Sequence, residues 1–222
     1  MKRKASILFP ITLFCLSWAV PLQATTYTVK AGGGGNYTTI SACAAAAQAG
    51  DTCVVYAGTY TGWAESHNGS AGSPITFIAN TGDTVNLSSG VTISGSSYIT
   101  LSGFHFTQGG VVGSSSSTHN VISHNSTVGS PIFVIPHNTG SGGTDNYIGY
   151  NTVNLTGTTD VNGMDVYGDR NLMEHNEVYG GDSDCHDVGG TNVVVRYEYC
   201  HDMVGPAQHI DFVQVVGAGY TP

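Results

Sequence analysis

One six-residue phrase returns four times along the second half of this chain. It reads Asn120-Val-Ile-Ser-His-Asn125, Asn146-Tyr-Ile-Gly-Tyr-Asn151, Asn171-Leu-Met-Glu-His-Asn176 and, in degraded form, Asn192-Val-Val-Val-Arg-Tyr197. The copies start 26, 25 and 21 residues apart, a period that belongs to solenoids, where each repeat is one circuit stacked on the last. Equivalent residues of neighbouring copies then lie one strand spacing apart, about 4.8 Å.

Within a circuit the spacing leaves room for three short strands. Gly163–Tyr167 reads as the first, Leu172–His175 as the second and Glu177–Tyr179 as the third, with Asn176 as a sharp corner and His186–Val188 opening the next circuit. No two-residue hairpin signal joins them, so the strands are expected to be parallel and coiled. Upstream, the Ala-rich stretch Ser41–Ala49, with Thr38 or Thr39 as N-cap and Gly50 as stop, predicts one short helix. A helix that occurs once, before the repeats, suits a cap of about residues 25–60 over the open end of a solenoid.

The first 24 residues read as a secretory leader. Lys2, Arg3 and Lys4 precede an apolar run from Ala5 to Val20, and Leu22-Gln-Ala24 offers a cleavage site. The expected product is one exported domain, 25–222, with no membrane association after cleavage. Three of the six basic residues leave with the leader, so Lys30, Arg170 and Arg196 face fifteen acids, a net charge of −12. Such a surface argues against nucleic-acid binding. Twelve of the acids lie from Asp145 onward, which points to chemistry in the second half. In an oxidising compartment Cys43 and Cys53 suit a local bridge; Cys185 with Cys200 would span adjacent turns, and free thiols are the alternative for both pairs.

The N-x-aliphatic-x-x-N-x-Val phrase, and the opening Asn36-Tyr-Thr-Thr-Ile40 through Gly50-Asp-Thr-Cys-Val-Val-Tyr-Ala-Gly-Thr-Tyr60, resemble the pectate lyase superfamily. The resemblance implies an all-β, right-handed parallel β-helix with an Asn ladder in the short second turn and a polysaccharide groove along the first strand and the loop before it. The Asn column itself reads as structural: Asn tolerates the left-handed corner, and its amide bonds the copies above and below.

A second column has chemical content. Met164-Asp165-Val166, His186-Asp187-Val188 and Ile210-Asp211-Phe212 recur at separations of 22 and 24, whereas the earlier Ile132-Phe133-Val134 carries Phe133 at that place. On a pleated strand the three aspartates point outward, with Val166, Val188 and Phe212 inward. Two carboxylates about 4.8 Å apart repel by roughly 3.5 kcal/mol at an effective dielectric near 20. A bound cation relieves that, and an all-oxygen set of Asp165, Asp187 and Asp211 favours calcium; a raised pKa on the central residue is the alternative. Asp182 and Asp184 lie in the preceding loop and His209 and Gln214 flank Asp211, and the resemblance places these residues in the groove. His186 points inward as a core residue, His124 and His175 lie on the surface, and no zinc-type spacing is present.

The resemblance implies three readings. A calcium-dependent lyase of acidic glycans needs a base to remove a proton, and Arg196 or His209 are the candidates, with Asp184 as a further catalytic group and Asp182 and Gln214 binding substrate. A hydrolase uses two carboxyl groups; Val161-Asn-Gly-Met-Asp-Val166 and Asp182-Ser-Asp-Cys-His-Asp-Val188 resemble the polygalacturonase phrases but carry Asn162 and Ser183 where that family has aspartates, keeping Asp184. The third is a non-catalytic adhesin, for which the uncapped end at Tyr220-Thr-Pro222 predicts lost C-terminal rungs or end-to-end association.

Overall fold

The computed structural model describes residues 23–135, 143–205 and 210–216, with the backbone alone at 134. The leader and its cleavage site therefore lie almost wholly outside the described residues, as does His209.

Short strands stack into three parallel sheets of eight, seven and six strands, here called A, B and C. One circuit shows how they arise. Met164–Tyr167 belongs to sheet C, Leu172–Glu174 to sheet A and Glu177–Tyr179 to sheet B, after which His186–Gly189 returns to sheet C. Every ladder is parallel, with each strand paired to those one circuit before and after. This is the parallel coil expected from the repeat and the right-handed parallel β-helix that the family resemblance implied. Alternate residues turn inward, so Ile122, Ile148 and Met173 form one fully buried column and Val153 and Val178 another. The apolar core is thus a stack of like residues rather than a mixed cluster, and burying each aliphatic side chain contributes about 1.5–3 kcal/mol.

The corners differ from expectation in an instructive way. The left-handed residue is not the asparagine but its predecessor: His124, Tyr150 and His175 have φ of 57°, 58° and 57°, and Tyr197, ahead of Glu198, has 55°. That placement turns the asparagine inward and the preceding ring outward. The rings stack on one another with centroids 5.1, 4.8 and 4.9 Å apart. Inside, Asn151 Oδ1 accepts from both the backbone N–H and the Nδ2 of Asn125, at 3.0 and 3.2 Å, while its own Nδ2 donates to the Ile122 carbonyl at 2.9 Å. Asn176 does the same for Asn151. A second ladder, Asn120–Asn146–Asn171, runs along the corner between sheets C and A.

The fourth copy is out of phase with the phrase that identified it. Sheet register pairs Leu172 with Val194 and Glu177 with Tyr199. Val193 and Glu198, not Asn192 and Tyr197, therefore follow Asn171 and Asn176. Glu198 accepts the two ladder bonds from Asn176, at 3.1 and 2.9 Å.

At the N-terminal end the helix runs Ile40–Ala46, shorter than Ser41–Ala49 and starting one residue earlier, with the Thr39 hydroxyl accepting from the Ala42 N–H at 3.2 Å. It stops early because Gln48 N–H is taken by the Asp51 carboxylate, which also accepts from Thr25 N–H. Cys43 and Cys53 form a disulfide between helix and sheet A. Cys185 and Cys200 are bridged too, the first in the loop that follows Glu177–Tyr179 and the second on Tyr199–His201, the sheet B strand one circuit on. Among the described residues, no helix is long and apolar enough to cross a membrane.

A carboxylate pair on sheet C as the candidate functional site

Sheet C carries its aspartates on the outward side. Asp165 lies directly opposite Asp187, with the inward Val166 and Val188 buried beneath them. The third member expected for this column is displaced. Asp187 pairs with Gln214, three residues beyond Asp211, because the last described strand is Val213–Val215. In the earlier circuit the backbone partner of Asp165 is Val134, not Phe133, which is buried in the core. The likeness of Ile210-Asp211-Phe212 to the two true strand openings misled the alignment. The loop before it is longer, and Phe212 is half exposed with its ring against the edge of His186.

Asp211 instead aligns with Asp184, and its N–H donates to Asp184 Oδ1 at 2.7 Å. Asp182 Oδ1 accepts from Asp160 N–H at 2.7 Å. Both loop carboxylates are buried and staple one circuit to a neighbour. Asn162 knits this loop to the aspartate column: its Oδ1 accepts from the Ser183 hydroxyl at 2.7 Å and from the Asp184 N–H at 3.2 Å, and its Nδ2 donates to Asp165 Oδ1 at 2.9 Å. The structure thus brings Asp165, Asp187, Gln214, Asp182, Asp184 and Asp211 to one side of the coil.

Burial raises the Asp165 pKa above the usual carboxylate value, and the charges of Asp187 and Asp184 push it further against the Asn162 hydrogen bond. Tyr167, which sequence reasoning passed over, stands on the same face. Burial and the neighbouring Asp187 carboxylate hold its hydroxyl well above the ordinary tyrosine value. A tyrosine two residues after an outward aspartate, opposite a glycine in the next circuit, was the signal that could have found it.

Arg196 is elsewhere. It lies on the outer face of sheet A, bound to Glu174 through Nε and a terminal nitrogen, each at 2.7 Å. Tyr147 completes that cluster by donating to Glu174 at 3.2 Å. Arg170 is paired with Asp145 at a corner, and Lys30 sits over the Tyr56 ring. His186 is inward and fully buried as expected, yet neither ring nitrogen has a hydrogen bond among the described residues; Glu198 lies 3.6 Å from Nε2. Burial depresses the His186 pKa to about 4 and raises that of Glu198 to about 7.

No protein-family profile and no curated relative matches the sequence. Solved structures do resemble the fold. A rhamnogalacturonan lyase superposes with a TM-score of 0.63 at 15% identity over 87% of this chain and 66% of its own. Pectate lyase Pel9A gives 0.56 at 17% identity over 76% of this chain and 53% of its own. The chain thus spans about two thirds and about half of their lengths. At these identities the likeness speaks for architecture, and the chain is a right-handed parallel β-helix with the pectate lyase-like fold.

Proposed function

We propose that this chain is a secreted lyase of acidic, uronate-containing polysaccharide, working along the sheet C face with calcium held near Asp165 and Asp187. The observation that carries the reading is the pair itself: two carboxylates in direct register on an outward strand face, beside a loop stapled in place by Asp182 and Asp184. The fold is that of a rhamnogalacturonan lyase and a pectate lyase, and this chain's substrate is inferred from theirs.

Calcium takes six to eight oxygen ligands. The donor set fits in kind, since Asp165, Asp187 and the Gln214 amide offer only oxygen. It is sparse in number: among the described residues, no group of three or more His, Cys, Asp and Glu could hold a metal ion. Waters and the sugar carboxylate itself would complete such an open site. When bound, the cation would neutralise the uronate carboxylate and ease removal of the adjacent carbon-bound proton. The chain's own contribution is orientation: Asn162 fixes Asp165, and Gln214 extends the row beyond Asp187. Arg196 stands on a different sheet, so His209 is the remaining expected base.

A second reading rests on the raised Asp165 beside Asp187. Two carboxyl groups about one strand spacing apart, one of them with a raised pKa, match the closer of the two glycosidase geometries. One assay separates the two. Polygalacturonate, rhamnogalacturonan and alginate are incubated with calcium and then with chelator. New ultraviolet absorbance from an unsaturated uronate, abolished by chelator, supports the lyase; reducing ends without absorbance support hydrolysis. Binding without either product leaves an adhesive β-helix.

A further inference from the structure

We propose that His201 is a pH-sensitive clasp: as an imidazolium it ties two circuits of sheet B together and thereby steadies the loop that carries Asp182 and Asp184. The clasp stands apart from the functional reading above, since the order of the loop is measurable without substrate or cation.

His201 Nδ1 lies 2.8 Å from Asp202 Oδ2, and its Nε2 lies 3.2 Å from Glu177 Oε1. An ionised carboxylate only accepts hydrogen bonds, whereas a neutral imidazole has one N–H to give and would turn a lone pair toward the second acceptor. Both contacts are satisfied at once by the imidazolium, which donates from both nitrogens. The rings of Tyr179 and Tyr199 stack on the imidazole with centroids 5.2 and 4.4 Å away, and an aromatic face attracts a cation. Glu177 and Tyr179 come from the preceding sheet B strand, Tyr199 and Asp202 from the segment of His201 itself; these are the titratable groups that face it among the described residues. Asp202, and after it Glu177, raises the His201 pKa above the ordinary histidine value.

The place of this cluster in the coil gives it reach. The loop starts at Gly180, directly after the strand Glu177–Tyr179 on which His201 closes, and it ends at Cys185, bridged to Cys200, the residue before His201. Glu177–Tyr179 and Tyr199–His201 pair in register, so both ends of the loop are fastened to one two-strand patch. Between those ends, Asp182 and Asp184 accept from the Asp160 and Asp211 N–H groups. Loss of the His201 proton leaves Glu177 and Asp202 without the cation between them. Because the folded pKa is raised, the clasp is complete below the unfolded value of about 6.5 and is lost as pH climbs through the higher folded value.

The test reads two quantities on the whole protein without added ligand: the His201 ring titration by NMR, and hydrogen-exchange protection of the Asp184 and Cys185 amides, corrected for intrinsic rates. Those amides donate to Asn162 Oδ1 and to the Asp211 carbonyl, so they report the order of the loop. His201 should titrate above the ordinary histidine value, and protection should fall about fivefold across the same pH interval. Asp202→Asn should move both transitions to lower pH together. Glu177→Gln should also lower the His201 titration, but it should flatten the pH dependence of the loop, because the link to the preceding circuit is gone. Both changes are isosteric and fall on carboxylates open to solvent, so the coil is kept. Protection that stays constant while His201 titrates overturns the clasp, as does a His201 that titrates at or below the ordinary value. A loop transition that stays put in Asp202→Asn belongs to another group, Glu198 first, and overturns it as well.

Discussion

The interior corner and the outer face of sheet C solve the same stacking problem with opposite chemistry. In both, identical side chains repeat one strand spacing apart. At the corner they are amides, each asparagine accepting two hydrogen bonds from the copy before and donating two onward, from its backbone N–H and its Nδ2, so adding a copy satisfies its neighbours. On the face they are carboxylates, which accept but do not donate, so adding a copy brings repulsion of roughly 3.5 kcal/mol at intermediate dielectric. A solenoid amplifies whatever it repeats. Stacked amides are explained by the fold alone, whereas stacked acids call for something outside it.

The most damaging way to break this comparison is to cut the amide column. Asn151→Ala leaves the Asn125 backbone N–H and one of its two Nδ2 hydrogens without their acceptor, the other staying on the Leu101 carbonyl, and the Ile122 carbonyl without the Asn151 donor, all in the buried interior. At about 1–3 kcal/mol for each stranded group, the loss should be at least 3 kcal/mol in urea unfolding. A loss below about 1 kcal/mol would show that the ladder is decoration and that apolar packing alone holds the coil.

Glu198 is where the two chemistries meet, an acid in the amide column. It takes both bonds from Asn176, but its ionised form has no proton to give onward, and its side chain is fully buried beside a neutral His186. Its folded pKa of about 7 lies above its unfolded value because burial disfavours the charge. The sign follows: the unfolded chain releases this proton first, so stability falls as pH rises from about 4.5 and levels off above about 7. Glu198→Asn restores the ladder. It should stabilise the protein by about 2 kcal/mol at pH 8 and by much less at pH 5. Parallel unfolding midpoints that keep the same offset at both pH values would remove the buried carboxyl as the cause.

These residues also show how far the sequence could be read. Coil, sheet membership and inward columns were legible because the Asn phrase fixes period and face together: Val166, Val188 and His186 are buried where alternation puts them. Phase in the last circuit was not. The phrase was matched on Asn192, but a strand register is set by the inward residues, and Val195 pairing with Met173 moves the ladder position to Glu198. The same slip put Asp211 in the column that Gln214 occupies, since Ile-Asp-Phe imitates a strand opening while its N–H serves Asp184. Asp182 and Asp184 were visible as acids, but their use as staples depends on backbone donors from other circuits. Tyr167 was hidden for a different reason: its partner glycine is 22 residues away, and only register joins them.

The smallest expected stability effect is also the sharpest reversal of the comparison. Asp165→Asn with Asp187→Asn turns the outer pair into a copy of the inner one, keeping size and shape while removing two charges. Burial raises the Asp165 pKa, so in calcium-free wild-type protein stability should fall as pH climbs from about 4. The double variant should lose that slope and gain about 1 kcal/mol at pH 7. Adding calcium should raise the wild-type midpoint and leave the variant unmoved. A variant less stable than wild type in chelator would mean that the aspartates are held by protein partners as the asparagines are, and the distinction between a structural column and a functional one would fail. A gain in stability with loss of the calcium response identifies the pair as charges retained for a ligand.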